Sequence, residues 1–325
     1  MPLEIITKKR LQLLAGSHGQ NLAQDIADCL GVKLGEIRLE RFANGEVNCQ
    51  LGESVRGADV FVFQTHDRPV NDAIMEQAVI IDAAKRASAK RITAVCPFFA
   101  YARQDRKSAG REPITAKLVV DILATAGADR TVSVDLHSGQ IQGFFDGPFD
   151  HLTATPVLGE WIEKHLGRNI VIVSPDAGRV KLNERYVNML GASLAIVHKR
   201  RSRSKANSVE ALDVIGDVDG RRCVVIDDMI DTAGTIVAAA EQLKKHGATE
   251  VYVMATHAVL SGPAVERLEQ SAIDKIVVTD SLTVDPGAKL TRFEVLSLAP
   301  LIASAIRAIF HDESVSKLFG GENQI

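Results

Sequence analysis

The segment Arg221–Thr235 reads R-R-C-V-V-I-D-D-M-I-D-T-A-G-T, and its succession of residue types sets the class of the whole chain. Cys223, Val224, Val225 and Ile226 form a short apolar, β-branched run, the pattern of a parallel strand buried on both faces. Two carboxylates, Asp227 and Asp228, follow at its C-terminal end, and then a loop of small and hydroxylated residues: Asp231, Thr232, Ala233, Gly234 and Thr235. Ile236–His246 has helix-forming composition, with basic residues in its last turn and Gly247 placed to cap it. The loop therefore joins a strand end to a helix N-terminus, where backbone N–H groups and the helix dipole favour a phosphate. It is not a Walker loop, because no Gly-Lys-Ser/Thr closes it, and it is not the dinucleotide G-x-G-x-x-G. Vicinal hydroxyls of a ribose are donors, and adjacent Asp side chains accept both hydrogen bonds. A phosphorylated ribose satisfies the acidic pair and the loop together. The plainer alternative is an acidic pair that caps a surface turn.

The same unit of strand, polar loop, helix and strand recurs in both halves, at Val60–Cys96 and at Cys223–Ala255. Further strands are expected at Leu11–Ala15, Val47–Leu51, Thr131–Val134, Ile170–Val173, Leu194–Val197 and Lys275–Thr279. Helices are expected at Gln20–Leu30, Asp72–Ala87, Thr115–Ala126, Pro156–His165, Arg179–Leu190, Pro263–Gln270 and Pro300–Phe310. This alternation predicts an α/β architecture with mostly parallel sheets and flanking helices, and the topology alone hints at an internal duplication. The Gly143–His151 region, with Gly147-Pro148, reads as the boundary between halves. Ligands of such sheets bind at the carboxyl ends of strands, so the chemistry is sought in post-strand loops.

A chain of 325 residues exceeds the usual single-domain size, and 46% hydrophobic residues can fill two cores. A net charge of −3 gives no global pointer to nucleic acid or a membrane surface. No apolar run approaches the ~20 residues of a bilayer span, and M-P-L-E-I-I-T-K-K-R lacks the apolar core of a secretory signal. Cys29, Cys49, Cys96 and Cys223 are scattered, which reads as reduced, mostly buried thiols. The expectation is a soluble, cytoplasmic protein.

Four loops stand out. Arg103-Gln104-Asp105-Arg106-Lys107 follows Phe98, Phe99 and Tyr101, and aromatics beside cations suit a base and its phosphates, although an exposed charged loop looks the same. His137, in Asp135-Leu136-His137-Ser138, and Asp176, in Pro175-Asp176-Ala177-Gly178, would ordinarily be a hydrogen-bonded strand-end histidine and a helix N-cap. Together they offer one nitrogen and one oxygen to a divalent ion, the sparse protein complement that Mg²⁺ takes and too sparse for structural zinc. The fourth loop, His198–Lys205, is strongly cationic. It is either a solvated basic loop or a lid that folds over an anionic substrate. Phosphoryl-type transfer needs in-line positioning, a metal and cations where charge develops, and such a lid supplies the cations.

With these loops in order, nearly the whole chain resembles the ribose-phosphate diphosphokinases (phosphoribosyl diphosphate synthetases) of the phosphate-activated class I type. The motifs that carry the resemblance are Arg41–Glu46, Tyr101–Lys107, Asp135–Gln140, Ser174–Gly178, Lys199–Arg201 and Val225–Thr235. It implies two similar phosphoribosyltransferase-type domains: residues 1–150 on the ATP side, joined by a C-terminal helix at 300–318, and 151–299 on the ribose 5-phosphate side. It implies transfer of the β,γ-diphosphate of Mg-ATP to the C1 hydroxyl of ribose 5-phosphate, giving AMP and 5-phosphoribosyl 1-diphosphate for nucleotide, histidine, tryptophan and NAD synthesis. By motif, Asn44, Gly45, Glu46, Arg103 and Gln104 would bind ATP, and His137 and Asp176 would hold Mg²⁺. Lys199 and Arg201 would stabilise the transition state. Arg201, Asp227, Asp228 and Asp231–Thr235 would bind ribose 5-phosphate. The resemblance also implies a homohexamer that responds to phosphate and ADP, with Ser314 and Ser316 in the regulatory segment, and no nucleic-acid or membrane partner. Asn44 stands where many members carry Asp, and an amide donates as well as accepts. A phosphoribosyltransferase shares Val225–Thr235 but is usually one domain without an ATP site. A non-catalytic regulatory homologue loses or interrupts the basic loop, whereas Lys199-Arg200-Arg201 is uninterrupted here.

Overall fold

A computed structural model describes residues 9–200, 211–285 and 291–319 of the chain. They form two compact units, one of the described residues up to Thr153 together with those from Leu298 onward, the other spanning Ala154–Ser297.

In chain order the first unit holds β1 (Leu11–Ala15), α1 (Gln20–Leu30), β2 (Ile37–Arg41), β3 (Val47–Leu51), β4 (Asp59–Phe63), α2 (Val70–Arg86), β5 (Arg91–Cys96), α3 (Thr115–Ala126), β6 (Arg130–Val134) and β7 (Phe149–Leu152). A five-stranded sheet runs β1-β4-β5-β6-β7 with every pair parallel. β4, D-V-F-V-F, is buried at every position, as a strand covered on both faces must be. β1 pairs with β4 on one side and takes an isolated parallel bridge from Leu34 on the other. The winding thus reverses between β1 and β4, and their carboxyl ends open a crevice there. β2 and β3 form a separate antiparallel hairpin, in register from Ile37↔Leu51 to Arg41↔Val47.

The second unit holds α4 (Thr155–His165), β8 (Ile170–Ser174), α5 (Val180–Leu190), β9 (Ser193–Arg200), β10 (Ala211–Ile215), β11 (Arg222–Ile230), α6 (Gly234–Lys245), β12 (Glu250–Ala258), α7 (Ala264–Glu269), β13 (Lys275–Thr279) and β14 (Phe293–Leu296). Its seven strands are ordered β10-β9-β8-β11-β12-β13-β14, and only the β9/β10 pair is antiparallel. From β8 the chain moves outward to β9, and later from β11 outward to β12 in the opposite direction. The winding reverses between β8 and β11. The core of this unit packs Val171, Val173, Val225 and Val253 against Ile236 and Leu243 of α6. Each such buried side chain contributes about 1.5–3 kcal/mol.

Beyond the second unit, α8 (Ala299–Phe310) packs on α1 of the first. Arg307 Nη2 donates to Cys29 O at 3.0 Å, and Arg91 reaches Ile309 O at 2.9 Å and Asp312 at 3.0 Å. Lys9 also pairs with Asp312. Among the described residues no helix is long and apolar enough to cross a membrane.

The mostly parallel α/β class stands as expected. Four edge or hairpin strands were not legible: β2, β7, β10 and β14. β7 lies inside the stretch read as a boundary and adds an edge to the first sheet. Two of the four thiols, Cys96 and Cys223, are buried, whereas Cys29 is exposed and Cys49 half-buried.

Candidate active site

The acidic pair sits within β11 rather than after it. β11 pairs with β8 only as far as Val225↔Val173, but with β12 through Ile230↔Ala258. β8 has by then left the sheet, so the last turn of β11 keeps one neighbour and faces the winding reversal with its other edge. Asp227 and Asp228 occupy that overhang. The reason is local: β12 runs four residues beyond Met254, the partner of Ile226 at the end of the apolar run, and its ladder carries the acidic residues into strand geometry.

One side chain that carried no expected role meets both carboxylates. Arg179 Nε lies 3.1 Å from Asp227 Oδ1, and its Nη2 lies 2.7 Å from Asp228 Oδ1. Asp228 is 3% exposed. Burial, followed by the charge of Asp228, pushes the Asp227 carboxyl up from 3.8 to about 8, against the opposing pull of Arg179. Its folded value lies above its unfolded one, so the folded state holds a proton that the unfolded state releases. Stability therefore falls as pH rises from about 4 towards 8. Asp227→Asn removes that proton linkage. It should raise Tm at pH 8.5 by about 2–4 °C and leave Tm at pH 4 nearly unchanged, which a thermal-shift series across pH reads directly.

Past the pair, Asp231–Thr235 turns into α6. Ala233 takes the left-handed region (φ 61°), uncommon for a residue with a Cβ, and is buried in this conformation. The turn is held from outside: Arg267 Nη1 donates to Thr232 O at 3.0 Å, and Ser261 N donates to Asp231 O at 2.9 Å. No side chain caps α6, so the N–H groups of its first turn face the loop. In the neighbouring loop, after β8, Asp176 accepts from Gly178 N at 2.8 Å and Arg179 N at 3.2 Å. Both bonds fall on Oδ1, which leaves Oδ2 without a protein partner among the described residues. The backbone of Lys199 is the penultimate position of β9, in register with Leu212. Its side chain, and Arg201 altogether, lie outside the described residues.

In the first unit Asn44, Gly45 and Glu46 form the tip of the β2–β3 hairpin. Asn44 Oδ1 accepts from Glu46 N at 3.2 Å, Gly45 N donates to Phe42 O at 2.8 Å, and Gly45 takes φ 92°, which a side chain resists. Arg41 ties the hairpin to α2 through Asp72 at 3.2 Å and Glu76 at 3.7 Å. Glu76 is buried and also accepts from Ser17 N at 2.6 Å, Ser17 Oγ at 2.9 Å and Gln64 Nε2 at 2.8 Å. This network lies at the carboxyl ends of β1 and β4, and the sequence does not reveal it because its residues sit in four separated segments. Arg103 and Gln104 follow β5 on an exposed loop. Gln104 accepts from Thr115 Oγ1 at 2.6 Å through its side chain and from Ala116 N at 3.2 Å through its backbone, which anchors the loop to α3. His137 lies half-buried just after β6. Ser314 and Ser316 lie beyond α8, their hydroxyls 2.8 Å apart.

Residues 11–127 match the family model described as the N-terminal domain of ribose phosphate pyrophosphokinase, and residues 205–320 match the phosphoribosyl synthetase-associated domain. A ribose-phosphate pyrophosphokinase of Bifidobacterium longum is 53% identical over 316 residues, covering 96% of this chain and 93% of the relative. One of Streptomyces avermitilis is 51% identical over 313 residues, covering 96% and 97%. The crystal structure of phosphoribosylpyrophosphate synthetase from Mycobacterium smegmatis superposes with a TM-score of 0.88 at 48% identity, covering 94% of this chain and all of that one.

Proposed function

Because the chain belongs to the ribose-phosphate pyrophosphokinase family, we propose that the two units divide the reaction between them, with ATP held by residues of the first and ribose 5-phosphate by residues of the second. The observation that carries this reading is the overhang of β11, which joins two adjacent carboxylates to a strained loop and an uncapped helix N-terminus. Asp227 and Asp228 accept from the vicinal hydroxyls of the pentose. The backbone of Asp231–Thr235 and the first turn of α6 bind its 5-phosphate. Asn44, Gly45, Glu46, Arg103 and Gln104 bind the nucleotide. The oxygen of the C1 hydroxyl forms a bond to the β-phosphorus of ATP, the bond from that phosphorus to the α-phosphate oxygen breaks, and the hydroxyl proton is released. The products are AMP and 5-phosphoribosyl 1-diphosphate.

Mg²⁺ suits the residues present, since Asp176 keeps Oδ2 outward while Oδ1 is fixed by two backbone donors. Asp176 and His137 are its proposed ligands. When bound, the ion neutralises charge on the transferring diphosphate. Lys199 and Arg201 place cations where negative charge grows on the phosphoryl oxygens. Ser314 and Ser316 contribute to a site for phosphate and ADP, and the protein works in the cytoplasm as a homohexamer.

³¹P NMR of the full chain with ATP, Mg²⁺, phosphate and ribose 5-phosphate tests the reaction. AMP and a C1-linked diphosphate are expected together, and only when the pentose is present. ADP as product would mean transfer of the γ-phosphoryl group instead, and the assignment would fall.

A further inference from the structure

Arg179 has no part in the roles assigned above, yet it touches both the acidic pair of β11 and Asp176 in the loop after β8. Its side chain is 17% exposed, with Nε 3.1 Å from Asp227 Oδ1 and Nη2 2.7 Å from Asp228 Oδ1. Its backbone N–H donates to Asp176 Oδ1 at 3.2 Å. One residue thus bridges the loop after β8 and the overhang of β11, across the point where the winding reverses. A guanidinium can hold two acceptors in one plane, which the point charge of an ammonium cannot. Four residues further along α5, Asn183 is fully buried and donates through Nδ2 to Ile226 O at 3.3 Å. The same face of α5 is therefore fastened to β11 immediately before the acidic pair.

Two adjacent, largely buried carboxyl groups repel one another unless one keeps its proton or a cation lies between them. We infer that Arg179 is a positioning residue for the pentose, holding the Oδ1 atoms of Asp227 and Asp228 towards α5 so that the rest of the pair presents a fixed set of acceptors to vicinal hydroxyls. The inference rests on the reading that the acidic pair binds those hydroxyls. It adds a specificity role: Arg179 sets how strongly the site prefers a pentose phosphate with both hydroxyls over one lacking the 2-hydroxyl. The 5-phosphate is assigned to the backbone of Asp231–Thr235 and the first turn of α6, so a change at Arg179 should fall chiefly on the hydroxyls.

Calorimetric titration of the full chain with ribose 5-phosphate and, separately, 2-deoxyribose 5-phosphate tests this. Arg179→Ala should weaken ribose 5-phosphate by about 10–50-fold and the deoxy analogue by about threefold or less, since the lost order acts on hydrogen bonds to charged acceptors. The preference for the 2-hydroxyl then collapses. Arg179→Lys, which keeps the charge but not the planar fork, should recover only part of it. A role in folding alone would weaken both ligands equally, and that result overturns the inference. So does tighter binding of ribose 5-phosphate, which would mean that Arg179 competes for the hydroxyl position. If the alanine variant does not fold, unchanged preference in the lysine variant overturns it as well. Asp228→Asn separates the two levels. If it leaves the 2-hydroxyl preference intact, the acidic-pair reading fails and the inference with it. If it abolishes the preference while Arg179→Ala does not, only the inference about Arg179 fails.

Discussion

Lys199→Ala should lower kcat by about 10³-fold while leaving Tm nearly unchanged. The two halves of that expectation have different sources. Lys199 is the penultimate residue of β9, which with β10 forms the antiparallel edge of the seven-stranded sheet. The substitution leaves its backbone pairing with Leu212 in place. A cation aimed at the transferring group counts most once negative charge has built up on the phosphoryl oxygens, because the ground state is already screened by water and metal. The loss should therefore appear in the chemical step of single-turnover kinetics, with the affinities for ATP and ribose 5-phosphate changed by less than about threefold. Full turnover in this variant would remove the cationic loop from the mechanism.

The second large effect is expected at Asp228. Asp228→Asn should weaken ribose 5-phosphate binding by about 30-fold and leave ATP binding unaffected. The amide is nearly isosteric, so the packing of this buried position survives. The electrostatics do not. Arg179 Nη2, now 2.7 Å from a carboxylate oxygen, would face a neutral group, and the pentose would lose a carboxylate acceptor. Equal losses for the two substrates would show a general disturbance of the fold, and the assignment of the pair to the pentose would not survive it.

Much of this was legible before any coordinates. The run Cys223–Ile226, the carboxylates after it and the small, hydroxylated loop before α6 follow from nearest-neighbour chemistry: β-branched residues prefer a buried strand, and a helix start prefers an anion. α1, α3 and β5 were placed to the residue, because each carries a strong period or run with punctuation at its end. The edge strands were missed for the converse reason. β2, I-R-L-E-R, is largely exposed and has nothing in its own sequence to separate it from a loop. It becomes a strand because β3 supplies the other side of the ladder. β14 likewise depends on the exposed edge of β13.

Local pattern and the places where strands end are enough for the fold class, the order of the post-strand loops and the residue types that reach for a phosphorylated sugar. Long-range packing is what puts the acidic pair inside β11, bridges it with Arg179, and gathers Ser17, Gln64 and Arg41 around Glu76 behind the hairpin. Those relations join residues 12 to 59 positions apart in the chain. They exist because the winding of each sheet reverses at one place and there brings together segments of its own unit, where buried charges must find partners.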